Sequence, residues 1–386
     1  MSEWVVPLAD VRFSDEEVQA VASVYRSGWL SQGPRVAEFE RAFAAFTGAG
    51  EAIAVASGTA ALELSCAVIG LGPGDEVVLP SLTFAATAAA VVRAGATPVF
   101  ADLRGVQAPW LSAGAAAAAL SERTRAIVNV SYGGHPGEAA QLRELADAGG
   151  LTLIEDAAHA AGGWAGPRHA GTIGQLGTFS FFANKNLPLG EGGMLVTGDA
   201  ELARRARLLR SHGLSSGTWA RHAGAEADYD VLAPGFNHRL DEARAALGTL
   251  LLARLQYDNA RRAELAATYS QALAEQDAVR PAISPEPNVR CAWHIFPVLL
   301  DPRIDRTAFR ARLREAGVQT SVHYPPLHLT RAFSAHAAEP LPATEDYGRR
   351  TVTLPLFPHM TEDQQSLVIG AVEAAIGGLD AISEPQ

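Results

Sequence analysis

A single lysine occurs in this chain. Lys185 follows an apolar run and precedes a glycine cluster in Phe179-Ser-Phe-Phe-Ala-Asn-Lys185-Asn-Leu-Pro-Leu-Gly190-Glu-Gly-Gly193. Of 31 basic residues, the other thirty are arginine, although lysine is ordinarily among the commonest residues. A bias that replaces lysine by arginine wherever only positive charge is wanted leaves lysine where arginine cannot serve. An amine can lose its proton and attack a carbonyl, whereas a guanidinium stays charged. The glycines that follow allow positive φ and close approach of backbone to a ligand. A flexible hairpin accounts for the glycines equally well, but not for the lysine. Ser180, upstream, offers a hydroxyl to the same site.

Two other segments carry compatible chemistry. Leu151-Thr-Leu-Ile-Glu155-Asp156-Ala-Ala-His159 puts Asp156 just past an apolar run, with His159 three residues on. A carboxylate there can pair with a protonated pyridine nitrogen, and the imidazole can contact the same ring. An N-capping aspartate beside a core histidine is the plainer alternative. Ser57-Gly58-Thr59-Ala60 lies between an apolar run and a helical pattern. Its N–H groups and the Thr59 hydroxyl suit a phosphate on the helix dipole, or Ser57 simply caps the helix. A phosphate cup, a pyridinium partner and a Schiff-base lysine, in that order, are the three anchors pyridoxal 5'-phosphate needs.

The elements that must position these groups follow from periodicity. Ser14 and Glu17 form the capping-box pair of a first helix that Gly28 stops, and a second amphipathic stretch carries Phe39, Ala42, Phe43 and Phe46. Strands are expected at 52–56, 76–79, 97–101, 126–130, 151–155, 178–182 and 193–197, with helices at 57–68, 84–93 and 137–148. That alternation predicts an α/β protein with a mostly parallel sheet covered by helices. Ligands in such sheets sit where strands end and helices begin, which is where all three segments fall. Past Leu240, helical stretches at 240–255 and 259–274 lead to a mixed segment. We place a boundary near residue 250, giving a large domain over 1–250 and a smaller C-terminal α/β domain over 251–386. Gly70-Leu-Gly72-Pro-Gly74 follows a helix and precedes a strand, the reverse of a dinucleotide fingerprint, so it is a turn. Arg204, Arg205, Arg207 and Arg210 read as a solvated helix face.

Composition excludes other classes. A net charge of −11 over 386 residues argues against a nucleic-acid partner, which needs a basic stripe. No apolar run is long enough to cross a bilayer and no basic–apolar leader opens the chain, so no membrane partner is expected. Cys66 and Cys291 make no disulfide framework, in keeping with a cytoplasmic location. No metal site is expected. The arginine bias suggests a high-GC bacterium, with antibiotic biosynthesis as a setting.

The motifs together resemble the DegT/DnrJ/StrS family of sugar aminotransferases, within the fold-type I, aspartate aminotransferase superfamily of pyridoxal-phosphate enzymes. The likeness runs through Gly28-Trp-Leu-Ser-Gln-Gly-Pro34, Ser57-Gly-Thr-Ala-Ala-Leu62, Pro80-Ser-Leu-Thr-Phe84 and Glu155-Asp-Ala-Ala-His159. It continues through Phe179–Lys185, Gly190–Gly193, Gly235-Phe-Asn-His-Arg239 and Val322-His-Tyr-Pro-Pro-Leu-His328. The resemblance implies that Lys185 forms the Schiff base and shuttles protons, and that Asp156 binds the pyridine nitrogen. It places Gly58, Thr59, Ala60 and Ser180 on the phosphate and Phe84 on the ring. Asn237 would reach the phosphate site of the neighbouring subunit in a homodimer, and His323 and Tyr324 would line a sugar-nucleotide pocket. His159 stands where many relatives carry glutamine, and histidine there is more usual in enzymes acting at C4 of the sugar. The implied reaction passes an amino group from L-glutamate to a nucleotide-linked 4-keto-6-deoxyhexose. A 3-keto sugar or a keto-cyclitol remains an alternative acceptor. Sugar dehydratases of this group replace the lysine with histidine, and Lys185 counts against that activity.

Overall fold

A computed structural model describes residues 4–217, 219, 222, 224 and 228–380. The first helix, Asp15–Ser27, starts on its capping box: the Ser14 hydroxyl accepts from the Glu17 N–H and the Glu17 carboxylate accepts from the Ser14 N–H. Gly28 ends it at φ 77°, the left-handed conformation that glycine adopts at little cost.

Seven strands form the central sheet: β1 (Glu51–Val55), β2 (Glu76–Pro80), β3 (Thr97–Ala101), β4 (Thr124–Val130), β5 (Thr152–Asp156), β6 (Leu176–Ser180) and β7 (Gly193–Thr197). Their spatial order is β3-β2-β4-β5-β6-β7-β1. Strands β2 to β6 pair in parallel, while β7 runs antiparallel to both β6 and β1. Side chains alternate between the two faces. Ile53, Val55, Leu79, Val128 and Leu195 pack beneath the helices Gly58–Val68, Ala85–Arg93 and Ala200–Arg210. Ala52, Ala54, Phe179, Met194 and Val196 pack with Phe39 and Phe43 of the helix Pro34–Thr47. Both faces are therefore covered, and the strands are buried along most of their length, the edge strand β3 least so. β6 starts two residues earlier than its pattern suggests, which leaves Phe181 and Phe182 beyond the strand in the turn toward Lys185.

The two helical stretches expected at 240–255 and 259–274 are one helix of 31 residues, Glu242–Ala272. The polar run Gln256-Tyr-Asp-Asn259 contains no glycine or proline and does not break it. The expected boundary at residue 250 falls inside this helix. Leu251, Leu252 and Leu255 pack with Phe39 and Phe43, whereas Leu265, Ala266 and Tyr269 belong to the C-terminal core. That core surrounds an antiparallel sheet of Val279–Pro281, Phe296–Leu300 and Thr351–Leu354. Val6, from the other end of the chain, is buried in it and bridges Val318. Residues 1–3 and 381–386, the ends of the expected domains, lie outside the described residues. Among the described residues no helix is long and apolar enough to cross a membrane, and no cluster could hold a metal ion.

Candidate active site

The chain leaves β1 through Ser57 into the helix Gly58–Val68. The Ser57 hydroxyl accepts from the Ala60 N–H at 3.1 Å, so the capping role is realised. Ala60 is thereby committed to the cap and is not among the residues lining the cavity described below. Gly58 and Thr59 do line it. First-turn N–H groups have no partner within a helix, and the dipole there favours an anion. A Cβ on Gly58 would lie 2.8 Å from the Ser180 Cβ, so only glycine lets the helix start this close to β6.

Two adjacent carboxylates end β5 and point to opposite faces. Glu155, fully buried, accepts N–H groups from Gly171 at 2.9 Å and from Ile173 and Gly174 at 2.6 Å, anchoring that loop. Asp156 faces the cavity. Its Oδ2 accepts from the Thr87 hydroxyl at 2.7 Å and its Oδ1 from the Ala158 N–H at 3.2 Å. Because Thr87 spends its hydrogen on Asp156, Thr83 donates in the 2.7 Å bond between the two threonines. Burial pushes the Asp156 carboxyl up, against the opposing pull of Thr87, Ala158 and Lys185.

Lys185 lies five residues past β6, its N–H held by the Phe182 carbonyl at 2.9 Å. Burial draws its amine down to about 8, with Asp156 opposing. The amine is thus far easier to deprotonate than an exposed lysine. The Lys185 Nζ lies 3.4 Å from the Nε2 of His294.

Burial, and then the charges of Lys185 and His323, hold His159 well below the usual histidine range. Its Nδ1 accepts from the Gly133 N–H at 3.3 Å. The proton of this neutral ring is therefore on Nε2, which donates to the Tyr324 oxygen at 2.9 Å. Tyr324 keeps its own hydrogen free to donate. His323 meets the Thr353 hydroxyl at 2.8 Å through Nδ1, and burial lowers it to about 4. Phe84 is 60% exposed with its ring 5.9 Å from that of Tyr324. Asn237 is exposed, outside the cavity, and bridges Ser211.

A cavity of about 380 Å³ gathers Gly58, Thr59, Phe84, Asp156, His159, Ser180, Lys185, His323 and Tyr324. Thr83, Glu191 and His294 are among its residues that went unseen in the sequence. Thr83 and Glu191 sit within quoted motifs, but nothing local marks their roles. His294, one of 11 histidines, follows Trp293 with no motif to single it out. Thr87, the partner of Asp156, was likewise unmarked. A second cavity, about 580 Å³, is lined by Arg204, Arg207, Arg210 and Arg239. The solvated arginine face needs correction at Arg210. It is 4% exposed and pairs with Glu40 at 2.5 Å and the Ala54 carbonyl at 2.9 Å, because it lies on the side of its helix that packs against β1.

The first cavity fits pyridoxal 5'-phosphate. Gly58, Thr59 and Ser180 would hold the phosphate, Asp156 the ring nitrogen and Lys185 the carbonyl carbon. On a mostly parallel sheet with a smaller C-terminal unit, these groups define a fold-type I pyridoxal-phosphate enzyme. The chain belongs to the DegT/DnrJ/EryC1/StrS aminotransferase family, whose profile matches residues 12–373. It is a pyridoxal-phosphate-dependent sugar aminotransferase. The spore coat polysaccharide biosynthesis protein SpsC of Bacillus subtilis (strain 168) is 39% identical over 380 residues, 95% of each chain. The aminotransferase TlmJ of Streptoalloteichus hindustanus is 35% identical, with a TM-score of 0.91 over 97% of this chain and 100% of its own. DesV of S. venezuelae, solved in complex with a ketimine intermediate, is 38% identical, with a TM-score of 0.85 over 93% and 94%.

Proposed function

We propose that this enzyme moves an amino group from L-glutamate to the keto carbon of a nucleotide-linked 4-keto-6-deoxyhexose in amino-sugar biosynthesis. The choice of C4 rests on the family resemblance, which associates a histidine at position 159 with enzymes acting at C4; in the structure His159 is buried, neutral and lines the cavity with Lys185. The naming of SpsC for polysaccharide biosynthesis supports a carbohydrate product. When bound, the cofactor acts as electron sink and carries the amino group from donor to acceptor. The residues do the rest. Lys185 Nζ takes the α-proton of the donor and returns a proton to the acceptor carbon. Asp156, as a carboxylate, would hold the ring nitrogen in its protonated form. Tyr324, whose oxygen already accepts from His159, donates its hydrogen into the cavity, and His323 lines the same side.

The assembly is a cytoplasmic homodimer in this reading. Phe84 and Phe182, at the cavity, are 60% and 46% exposed in the single chain, and the exposed Asn237 would reach a neighbour. Cys66 and Cys291 are buried free thiols, as suits a reducing compartment.

The test is an absorbance spectrum of protein loaded with pyridoxal phosphate, before and after L-glutamate, followed by acceptor panels. A visible band that glutamate bleaches, and that a nucleotide-linked 4-keto-6-deoxyhexose restores, is expected. Restoration only by a 3-keto isomer or a keto-cyclitol overturns the acceptor. A band that glutamate leaves unchanged overturns the donor.

A further inference from the structure

We propose that His294 is a positioning residue for Lys185. A chain of oriented side chains, Asn259 to Asn186 to His294, presents a bare imidazole nitrogen that accepts a hydrogen from the lysine amine. The proposal rests on Lys185 being the working amine of the site.

The Asn259 side-chain N–H donates to the Ala161 carbonyl at 2.8 Å, so its Oδ1 faces the other way. That oxygen accepts from the Asn186 Nδ2 at 2.8 Å, and the same nitrogen donates to the Ala292 carbonyl at 2.8 Å. With both its N–H groups spent on carbonyl oxygens, Asn186 turns its own Oδ1 to the Nδ1 of His294, 3.1 Å away. An amide oxygen can only accept, so Nδ1 of His294 carries the hydrogen and Nε2 carries the lone pair. Nε2 is the atom 3.4 Å from the Lys185 Nζ. Asn259 and His294 are 7% and 6% exposed, and Asn186 between them is half-buried.

The surroundings keep this ring neutral. Burial is the main cause of its lowered pKa, followed by the charges of Lys185, His159, Arg262 and His323. Arg262 sits behind it, donating to the Leu356 carbonyl at 2.9 Å. The titratable groups lining the cavity around the amine are Asp156, His159, Glu191, His294, His323 and Tyr324. Of these, Asp156 draws the ammonium by charge, while His294 offers it an uncharged acceptor of fixed direction. Donating one hydrogen to Nε2 restricts rotation of the amine and so sets where its lone pair points once it is deprotonated. A histidine that merely filled the core would not need the asparagine pair turned in this sense.

The experiment uses full-length, cofactor-free protein labelled with 13C-lysine. Lys185 is the only lysine, so one resonance reports its titration. In the wild type the midpoint is expected near 8. His294→Phe removes an acceptor for the charged form and is expected to lower the midpoint by about one pH unit. His294→Gln, whose amide oxygen can accept, is expected to recover most of that shift. An unchanged midpoint in a folded His294→Phe protein overturns the proposal. A second measurement needs no variant. The 15N shifts of the wild-type His294 ring should show a protonated Nδ1 and a bare Nε2, and the reverse tautomer overturns the proposal. Loading a separate sample with pyridoxal phosphate tests Lys185 itself. Absence of a lysine-dependent band there defeats the proposed role of Lys185, not the hydrogen bond to His294.

Discussion

The two sides of the cavity hold their polar groups by different means. On the sheet side, Asp156 is the last residue of β5, Ser57 lies two residues past β1 and Lys185 five past β6. Each is aimed by its own strand, and the side presents charge: a carboxylate, an amine and a helix N-terminus. On the C-terminal side, His294, His323 and Tyr324 sit on irregular backbone and are aimed by partners far away in sequence. His294 depends on Asn186, His323 on Thr353, and Tyr324 on His159. This side presents neutral dipoles, because burial suppresses the charge of every imidazole on it. In the proposed mechanism the charged groups lie at or a few residues past strand ends, and hydrogen-bond direction is supplied from the opposite side.

Substitutions can break this contrast. Lys185→Ala is expected to have the largest effect, lowering turnover by about 10⁴-fold, with heat stability retained. Steady-state rates and a thermal melt check both parts. Appreciable activity in Lys185→Arg would show that the amine is not the proton carrier, since a guanidinium does not deprotonate. Asp156→Asn is expected to lower kcat by about 10- to 100-fold, the worth of one charged hydrogen bond. The cofactor-free Asn variant should nonetheless melt no lower than wild type at neutral pH, because the buried carboxylate is itself costly there.

Falling pH acts on Asp156 and on the buried imidazoles with opposite sign. His323 falls to about 4 in the folded protein, whereas an unfolded histidine titrates near 6.5. Between those values the unfolded chain binds more protons, so the stability His323 contributes is full above about 6.5 and is lost as pH falls toward 4. His159 and His294 act in the same direction. Asp156, with a raised pKa, takes its proton earlier in the folded state and becomes less costly as pH falls. Thermal melts of cofactor-free protein from pH 7.5 to 4.5 should show a decline that is shallower in His323→Gln. The smallest expected effect is Ser57→Ala, about 1 kcal/mol of stability from the lost cap, measured by urea unfolding.

Much of the sheet was legible because its signals are local. Alternating apolar runs and turn glycines marked all seven strands within a few residues, and the capping box at Ser14 started the first helix where expected. The break expected near Gln256 was not real, because polarity alone does not end a helix; Asn259 is polar there in order to bond Ala161 and Asn186 across the structure. Arg210 misled for the converse reason. Its helix carries four arginines, and only packing against β1 showed that Arg210 faces inward with Ala203 and Ala206.

By itself the sequence determined that a lone amine, a carboxylate and a glycine-started helix would meet at the ends of a parallel sheet. Strand and helix periods, together with the rule that such ends converge, are enough for that. The tertiary structure alone decided the proton positions on His159 and His294. Those depend on backbone and amide groups that are distant along the chain: Gly133 and Tyr324 for His159, Asn186 and Asn259 for His294. A tautomer is set by which partner lies across each ring nitrogen, and only the folded chain brings those partners together.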